Sequence, residues 1–445
     1  TALPMLVAQI LSLLYNIVDR IYIGHMPVDG SLALTGVGVC MPLILIVSAF
    51  SAFVASGGAP RASIAMGRGN DAEAEKILGG CFMLQAIISV ILTAVMLLWS
   101  REMLLVFGAS ENTIGFAMDY MSIYALGTLF VQLTLGMNAF ITAQGFATVG
   151  MQTVLIGAVL NIVLDPVLIF GLGPFPALGI EGAALATVIS QGISALWVVR
   201  FLTSGKTLLR LRPAFLRLNW KLLAPCVALG LSPFIMQSTE SLLAVCFNTS
   251  LRAYGGTLAV GTMTILTSIM QFAMLPLNGL TQASQPIISY NYGAGKPDRV
   301  RRAFWLLLRC AMIYAGVLWA TTMLFPQLYI GVFTPDQELI AYAIPAVRIY
   351  MAASLLFGIQ LSCQQTFVAL GNAKNSLFLA VLRKLILLIP LIYLLPALLP
   401  DKVTAVFLAE PVADTIAVTV TVLLFRVKFT ACMREMEERA ASQHA

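Results

Sequence analysis

The chain has 445 residues, 59% of them hydrophobic and 10% charged, with a mean hydropathy of +0.92. A soluble globular chain has about 45–50% apolar and about 25% charged residues. A dozen spanning helices of about 20 residues consume most of such a chain, which excludes a sizeable soluble domain. The net charge of +6 sits between apolar runs, where it orients spans in a membrane rather than recruiting nucleic acid.

Apolar runs between polar or Gly/Pro punctuation predict twelve helices, starting near residues 2, 32, 77, 113, 149, 180, 221, 258, 301, 338, 376 and 403. The chain opens at Thr1 in apolar sequence without a methionine, so residues are expected to precede it. With a cytoplasmic N-terminus, the inward loops hold Arg61, Arg68 and Lys76, then Arg200 through Lys221. The later inward loops hold Lys296, Arg299, Arg301 and Arg302, then Lys374, then Arg426, Lys428, Arg434 and Arg439. The outward loops hold Arg101, Arg252 and Lys402, a bias that places both termini inside. Enzyme chemistry has little to work with. Only His25 and His444 supply imidazole, the seven cysteines form no close pairs, and neither HExxH nor CxxC occurs.

The chain repeats itself at an offset of 226 positions. Pro60, Ser63, Gly67 and Gly69 recur as Pro286, Ser289, Gly293 and Gly295. Val106-Phe107 recurs as Val332-Phe333, Tyr124 as Tyr350, and Gly145 and Ala147 as Gly371 and Ala373. Six spans return a chain to its starting side, so the repeat predicts two six-helix lobes related by a pseudo-twofold along the membrane normal, a transporter architecture. The boundaries read as 1–202 for the first lobe, 203–220 for a cytoplasmic linker, 221–430 for the second lobe and 431–445 for a cytoplasmic tail. The linker's Ser204-Gly205-Lys206-Thr207 lacks the first glycine of a phosphate-binding loop, because position 200 is Arg. Without an ATP site, uphill transport needs an ion gradient.

Ionisable residues inside spans are costly and are functional candidates by default. In span one, Gln9, Ser12, Tyr15, Asn16 and Asp19 share a helical face; for Gln9 and Ser12 a helix-gluing role suffices, whereas Asp19 is a functional candidate. In span five, Asn161 and Asp165 lie one turn apart, and Pro166 deprives the Ile162 carbonyl of its helical donor. A carboxylate in a low dielectric takes up a proton more readily than in water. The same oxygens suit Na⁺, so proton and sodium stay open.

The second half differs. Gln237, Glu240 and Asn248 lie near one face of span seven, and Gln271, Asn278, Gln282 and Gln285 on one face of span eight, as in the wall of a wet cavity. Under the offset Asn138 maps to Gln364, an amide in both halves. Tyr15, Asn16, Gln237, Glu240, Asn278, Gln282 and Gln364 are the cargo-lining candidates. Glu240 either binds cargo or pairs with Arg348. Glu410 and Asp414, one turn apart around Pro411, either bind cargo or pair with Arg383 or Lys384, and the pairing is the expected reading.

Leu14-Tyr15-Asn16-Ile17-Val18-Asp19-Arg20-Ile21-Tyr22-Ile23-Gly24, Asn161-Ile162-Val163-Leu164-Asp165-Pro166, Gly182-Ala183-Ala184-Leu185-Ala186-Thr187 and Gln285-Pro286 before Gly293 resemble the multidrug and toxic compound extrusion (MATE) family over essentially the whole chain. The resemblance implies an all-α membrane protein with two lobes around a central cleft, in the bacterial cytoplasmic membrane. It implies H⁺- or Na⁺-coupled antiport of amphipathic, often cationic small molecules by alternating access, with no cofactor and no enzyme activity. The protein is expected to act as a monomer among membrane lipids. Carried over by residue, the cation site comprises Asp19, Asn138, Asn161, Asp165 and Thr187, with Pro166 as a hinge. A second-lobe site resembling that of some relatives would use Glu240, but span ten offers no carboxylate partner.

A flippase for lipid-linked oligosaccharides in the same superfamily is the alternative. It calls for several cationic residues in the first-half spans, where Arg20 is the only clear one. A major facilitator reading needs a basic loop after span two that Gly67-Arg68-Gly69-Asn70 meets poorly, and an intramembrane enzyme or receptor would show no gradient dependence.

Overall fold

The structure, a computed structural model, describes residues 2–444. Its helices are α1 (Ala2–Gly24), α2 (Gly30–Gly67), α3 (Asp71–Val106), α4 (Ile114–Leu126), α5 (Thr128–Ala143), α6 (Ala147–Phe170), α7 (Ile180–Thr203) and α8 (Trp220–Gly293). They continue with α9 (Pro297–Leu324), α10 (Pro326–Gly331), α11 (Gln337–Tyr350), α12 (Phe357–Ala369), α13 (Ala373–Val381), α14 (Ile389–Leu398) and α15 (Lys402–His444). Among the described residues, nine helices are long and apolar enough to cross a membrane, and the pairs α4/α5 and α11/α12, bent by 56° and 45°, add two spans. The 74-residue α8 is itself two spans separated at Gly256 (φ 67°, ψ −156°), a left-handed position that an L side chain would strain. Twelve spans result, near the predicted starts.

The outward faces are apolar, with Val90, Ile91, Leu98, Ile313 and Val317 exposed, the pattern of a lipid-facing surface. Several helices run past their apolar segments. The α3 helix begins at Asp71, where the Asn70 side chain accepts from Glu73 N and the acidic first turn suits the helix dipole.

The chain forms two compact units, Thr1–Gly230 and Leu231–Ala445. In the first, Val54, Ile77, Leu78, Phe140 and Val198 share a buried cluster. In the second, Phe247, Leu266, Tyr350, Ile392 and Phe407 do the same. The repeat recurs as geometry. Ser63 Oγ donates to Ala143 O (3.1 Å) in the first unit and Ser289 Oγ to Ala369 O (2.8 Å) in the second, both ends displaced by the same 226 positions. The paired glycines also share left-handed backbone: Gly69 (φ 75°) with Gly295 (65°), and Gly145 (91°) with Gly371 (73°).

Two segments separated in the sequence reading are packed parts of the units. Residues 203–219 lie against the first unit, with Leu209 and Leu211 buried. There Gln144 Oε1 accepts from Leu209 N (2.8 Å) and Thr207 Oγ1 (2.7 Å). Glu75 accepts from Arg210 N (3.0 Å) and pairs with Arg212 (2.8 Å). The first turns of α8 then cross α2 so closely that a Cβ on Gly57 would lie 1.8 Å from Cys226 O, and one on Gly230 1.7 Å from Phe53 O. Beyond residue 430, α15 continues as helix, burying Met433 and Met436 beside Phe429 while Glu437 pairs with Arg301 (2.6 Å).

Candidate cation-coupling site

The polar face of α1 meets α6. Asp19 and Tyr15 are half-buried there, and Asp165 is fully buried. The Asp19 and Asp165 carboxyl groups lie within hydrogen-bonding reach of each other. Asn161, 2% exposed, sits one turn before Asp165 and donates from Nδ2 to Asp165 Oδ1 (3.2 Å) and to Thr187 Oγ1 on α7 (3.4 Å). Thr187 donates to Ala183 O (3.1 Å), which fixes its hydroxyl along its own helix. The result is a cluster with more acceptors than donors. Asp19 Oδ1, Asp165 Oδ2 and Asn161 Oδ1 are buried without a donor among the described residues.

Such a surplus has a definite chemical meaning. Buried polar atoms are ordinarily paired, and an unmet acceptor costs about 1–3 kcal/mol. Two carboxylates face each other stably only with a positive charge between them, whether a proton shared by the pair or a cation held by both. Asn161 Oδ1 and the Thr187 hydroxyl add neutral oxygens of the kind that sodium accepts. The group can therefore take up one positive charge, and without it the two acids repel each other.

Of the five residues carried over for this site, the structure brings together Asp19, Asn161, Asp165 and Thr187. Asn138 stands apart. Its Nδ2 donates to Gly150 O (3.2 Å), eleven residues and so about 16 Å along α6 from Asn161. Its counterpart Gln364 does similar work in the second unit: it is 2% exposed and donates to Ser232 Oγ (3.3 Å), which in turn hydrogen-bonds Ser376, the repeat partner of Gly150. Asn138 thus ties the fourth span to the fifth, whereas Gln364 ties the fourth span of the second unit to its first at Ser232; Gln364, a cargo-lining candidate, is buried in this conformation. The α6 helix is continuous through Pro166, so this conformation shows no break at the hinge candidate.

Sequence reasoning missed two tyrosines. Tyr120 and Tyr124 on α4 are 3% and 4% exposed and stack at 6.1 Å. The Tyr120 hydroxyl lies within reach of Thr187 and beside Asp19, while Tyr124 lies beside Tyr15. Their one-turn spacing in an apolar span was the available signal.

Among the other candidates, Asn16 is exposed and donates back to Ser12 O (2.6 Å), Gln237 and Asn278 are half-buried, and Gln282 is exposed. Glu240 does not pair with Arg348. Its partner is Lys384, which also donates to Met236 O (3.1 Å), whereas Arg348 Nε donates to Met323 O (3.0 Å). A π-helical segment, Leu382–Leu388, presents Lys384 to α8 and Arg383 to α15, where Arg383 pairs with Asp414 (2.6 Å) and Glu410 (3.3 Å).

Comparison with known proteins agrees with this architecture. The sequence model of the family described as MatE matches residues 4–167 and 233–394. The chain is 26% identical to a protein named FAD transporter from Shewanella oneidensis, over 93% of this chain and 90% of that one. It is 25% identical to the multidrug export protein MepA of Staphylococcus aureus, over 98% and 95%. Among solved structures, one described as MATE in the bent conformation superposes with a TM-score of 0.91 at 22% identity, covering 98% of this chain and 95% of that one. An outward-facing multidrug resistance MATE family transporter superposes at 0.89, again at 22% identity, covering 97% and 95%.

Proposed function

This chain belongs to the MatE family and is a multi-pass membrane transporter, and from that premise we propose that it is a cation-coupled antiporter exporting amphipathic, often cationic small molecules. The observation that carries the reading is the set of three buried acceptor oxygens without donors, on Asp19, Asn161 and Asp165. It is a site for one positive charge, H⁺ or Na⁺. Export as the direction of transport is supported by the multidrug export relative. The inward-loop excess of Lys and Arg supports both termini on the cytoplasmic side of a bacterial inner membrane.

The mechanism follows from the charge count at the site. Empty, Asp19 and Asp165 repel across the α1–α6 contact; loaded with one cation, they hold the two helices together. In the first unit α1 is the least buried span, so its position against α6 is the part of that unit most easily shifted by loading. A cation entering from outside favours one arrangement of α1 and its loss inside favours the other, which is the differential affinity that alternating access requires. Cargo bound preferentially to the unloaded form is released on loading.

The test is efflux of a fluorescent organic cation from proteoliposomes under an imposed pH or Na⁺ gradient, comparing wild type with Asp19→Asn and Asp165→Asn. Gradient-driven efflux reduced about 10-fold or more in both variants supports the reading, and the effective gradient names the ion. Efflux persisting in both removes the first-unit site. The FAD transporter relative makes a phosphorylated anion the second cargo to assay, and wild-type movement of that cargo alone would replace the cationic cargo class.

A further inference from the structure

The second unit holds a second group of buried charges, on its fifth and sixth spans, which the repeat pairs with the spans of Asn161, Asp165 and Thr187. Arg383 is the hub. Its Nε donates to Asp414 Oδ1 (2.6 Å), its Nη2 to Glu410 Oε1 (3.3 Å), and its guanidinium lies 5.7 Å from the Phe357 ring centroid. Asp414 is 2% exposed and Glu410 6%. The neighbouring charges are Lys384, which is buried and spends its ammonium on Glu240 and Met236 O rather than on Glu410 or Asp414, and Glu240, whose side chain is 60% exposed; Tyr350 is the titratable group facing the cluster from α11.

Two carboxylates thus share one guanidinium, and arginine stays protonated in proteins. With both acids ionised the cluster carries an unbalanced negative charge in the interior, an expensive arrangement inside a membrane. One atom registers the imbalance. Asp414 Oδ2 is buried without a donor among the described residues, although the other oxygen of the same group holds a short contact to Arg383. A metal ion is a poor remedy, because the guanidinium repels it and one unpartnered carboxylate oxygen falls short of the several oxygens a hard cation collects.

We propose that the Glu410–Asp414 pair of the second unit is a proton-binding site, in which one proton from solution bonds to a carboxylate oxygen of the pair while Arg383 keeps its charge. No other bond changes. The site is separate from the first-unit group and its proton is additional to the ion bound there. The two clusters divide the possibilities: the first has two acids with no ion-pair partner among the described residues, and the second has a paired guanidinium and one acid too many.

The experiment uses purified full-length protein carrying Asp19→Asn and Asp165→Asn, so that the first-unit acids do not titrate and transport is not needed for a reading. Glu410→Gln and Asp414→Asn are added singly, and proton uptake is followed by potentiometric titration alongside thermal unfolding over the same pH range. Each addition is expected to remove one proton from the uptake curve and to flatten the loss of stability that the parent shows as pH rises and the proton is stripped. Identical uptake with and without Glu410→Gln overturns the proposal, as does a loss of stability equal at every pH, which is what a purely structural ion pair predicts. Should the added variants fail to fold, an infrared difference spectrum of the parent between acid and alkaline pH decides: a protonated carboxylic acid band that disappears at alkaline pH supports the site, and no such band overturns it. None of these readings depends on coupled efflux, so the antiport reading can fail while this one holds.

Discussion

Asp165 and Asn161 divide the labour at the first-unit site. Asn161 spends its amide hydrogens on Asp165 and Thr187, which leaves its carbonyl oxygen buried without a donor among the described residues and free for the proposed ion. Replacing Asp165 by Asn removes a charge at nearly constant volume, so the fold should survive and the gradient-driven rate should fall about 10- to 100-fold, the size of a coupling free energy of about 1–3 kcal/mol. Asn161→Leu should weaken coupling while leaving both acids in place, read as a shift of efflux to higher H⁺ or Na⁺ concentration. Asn138→Ala should leave that concentration dependence unchanged, since Asn138 bonds to Gly150 O instead. The four clustered residues were legible because spacing along a helix gives the face and the family motif gives the partner helix. Asn138 was not, because register within one span says nothing about its depth against the next. The partner offered for Glu240, one of two readings of that residue, was wrong for a related reason: Arg348 and Lys384 are equally cationic in sequence, and only packing shows that Lys384 reaches it.

At the scale of elements, what the apolar pattern concealed were interruptions and attachments. Hydropathy counts α4/α5 as one span and does not register its 56° bend, and it cannot separate the π-helical turn at Leu382–Leu388 from α-helix. That turn sets the charge pairing of the second unit. Arg383→Leu leaves two buried acids without their counter-charge, at a cost of about 3–5 kcal/mol; thermal unfolding in detergent should show it, with the largest loss at alkaline pH. The segment after α7 read as a linker from its charges, yet Glu75 and Gln144 accept its backbone and pin it. Gln144→Ala strands the Leu209 N–H, about 1–3 kcal/mol, while the Thr207 hydroxyl keeps Leu209 O as its acceptor. It should expose residues 203–219 to proteolysis before the spans are cut.

For the whole molecule, the fold was legible in the repeat. Glycines that need left-handed backbone and serines that bridge neighbouring spans cannot drift without cost, so they kept register where apolar residues exchange freely. The cargo is less legible, because cargo-lining candidates such as Gln237, Asn278 and Gln282 are ordinary amides at ordinary exposures. Coupling is reciprocal: an ion that expels cargo must itself be expelled by cargo. The most direct measurement is therefore equilibrium binding of a fluorescent organic cation to purified protein across a series of pH values and Na⁺ concentrations, in wild type and in Asp165→Asn. Wild-type affinity should fall as the coupling cation rises, and the slope of that dependence should be smaller in the variant. An equal slope in both proteins would contradict a coupling site at Asp19 and Asp165.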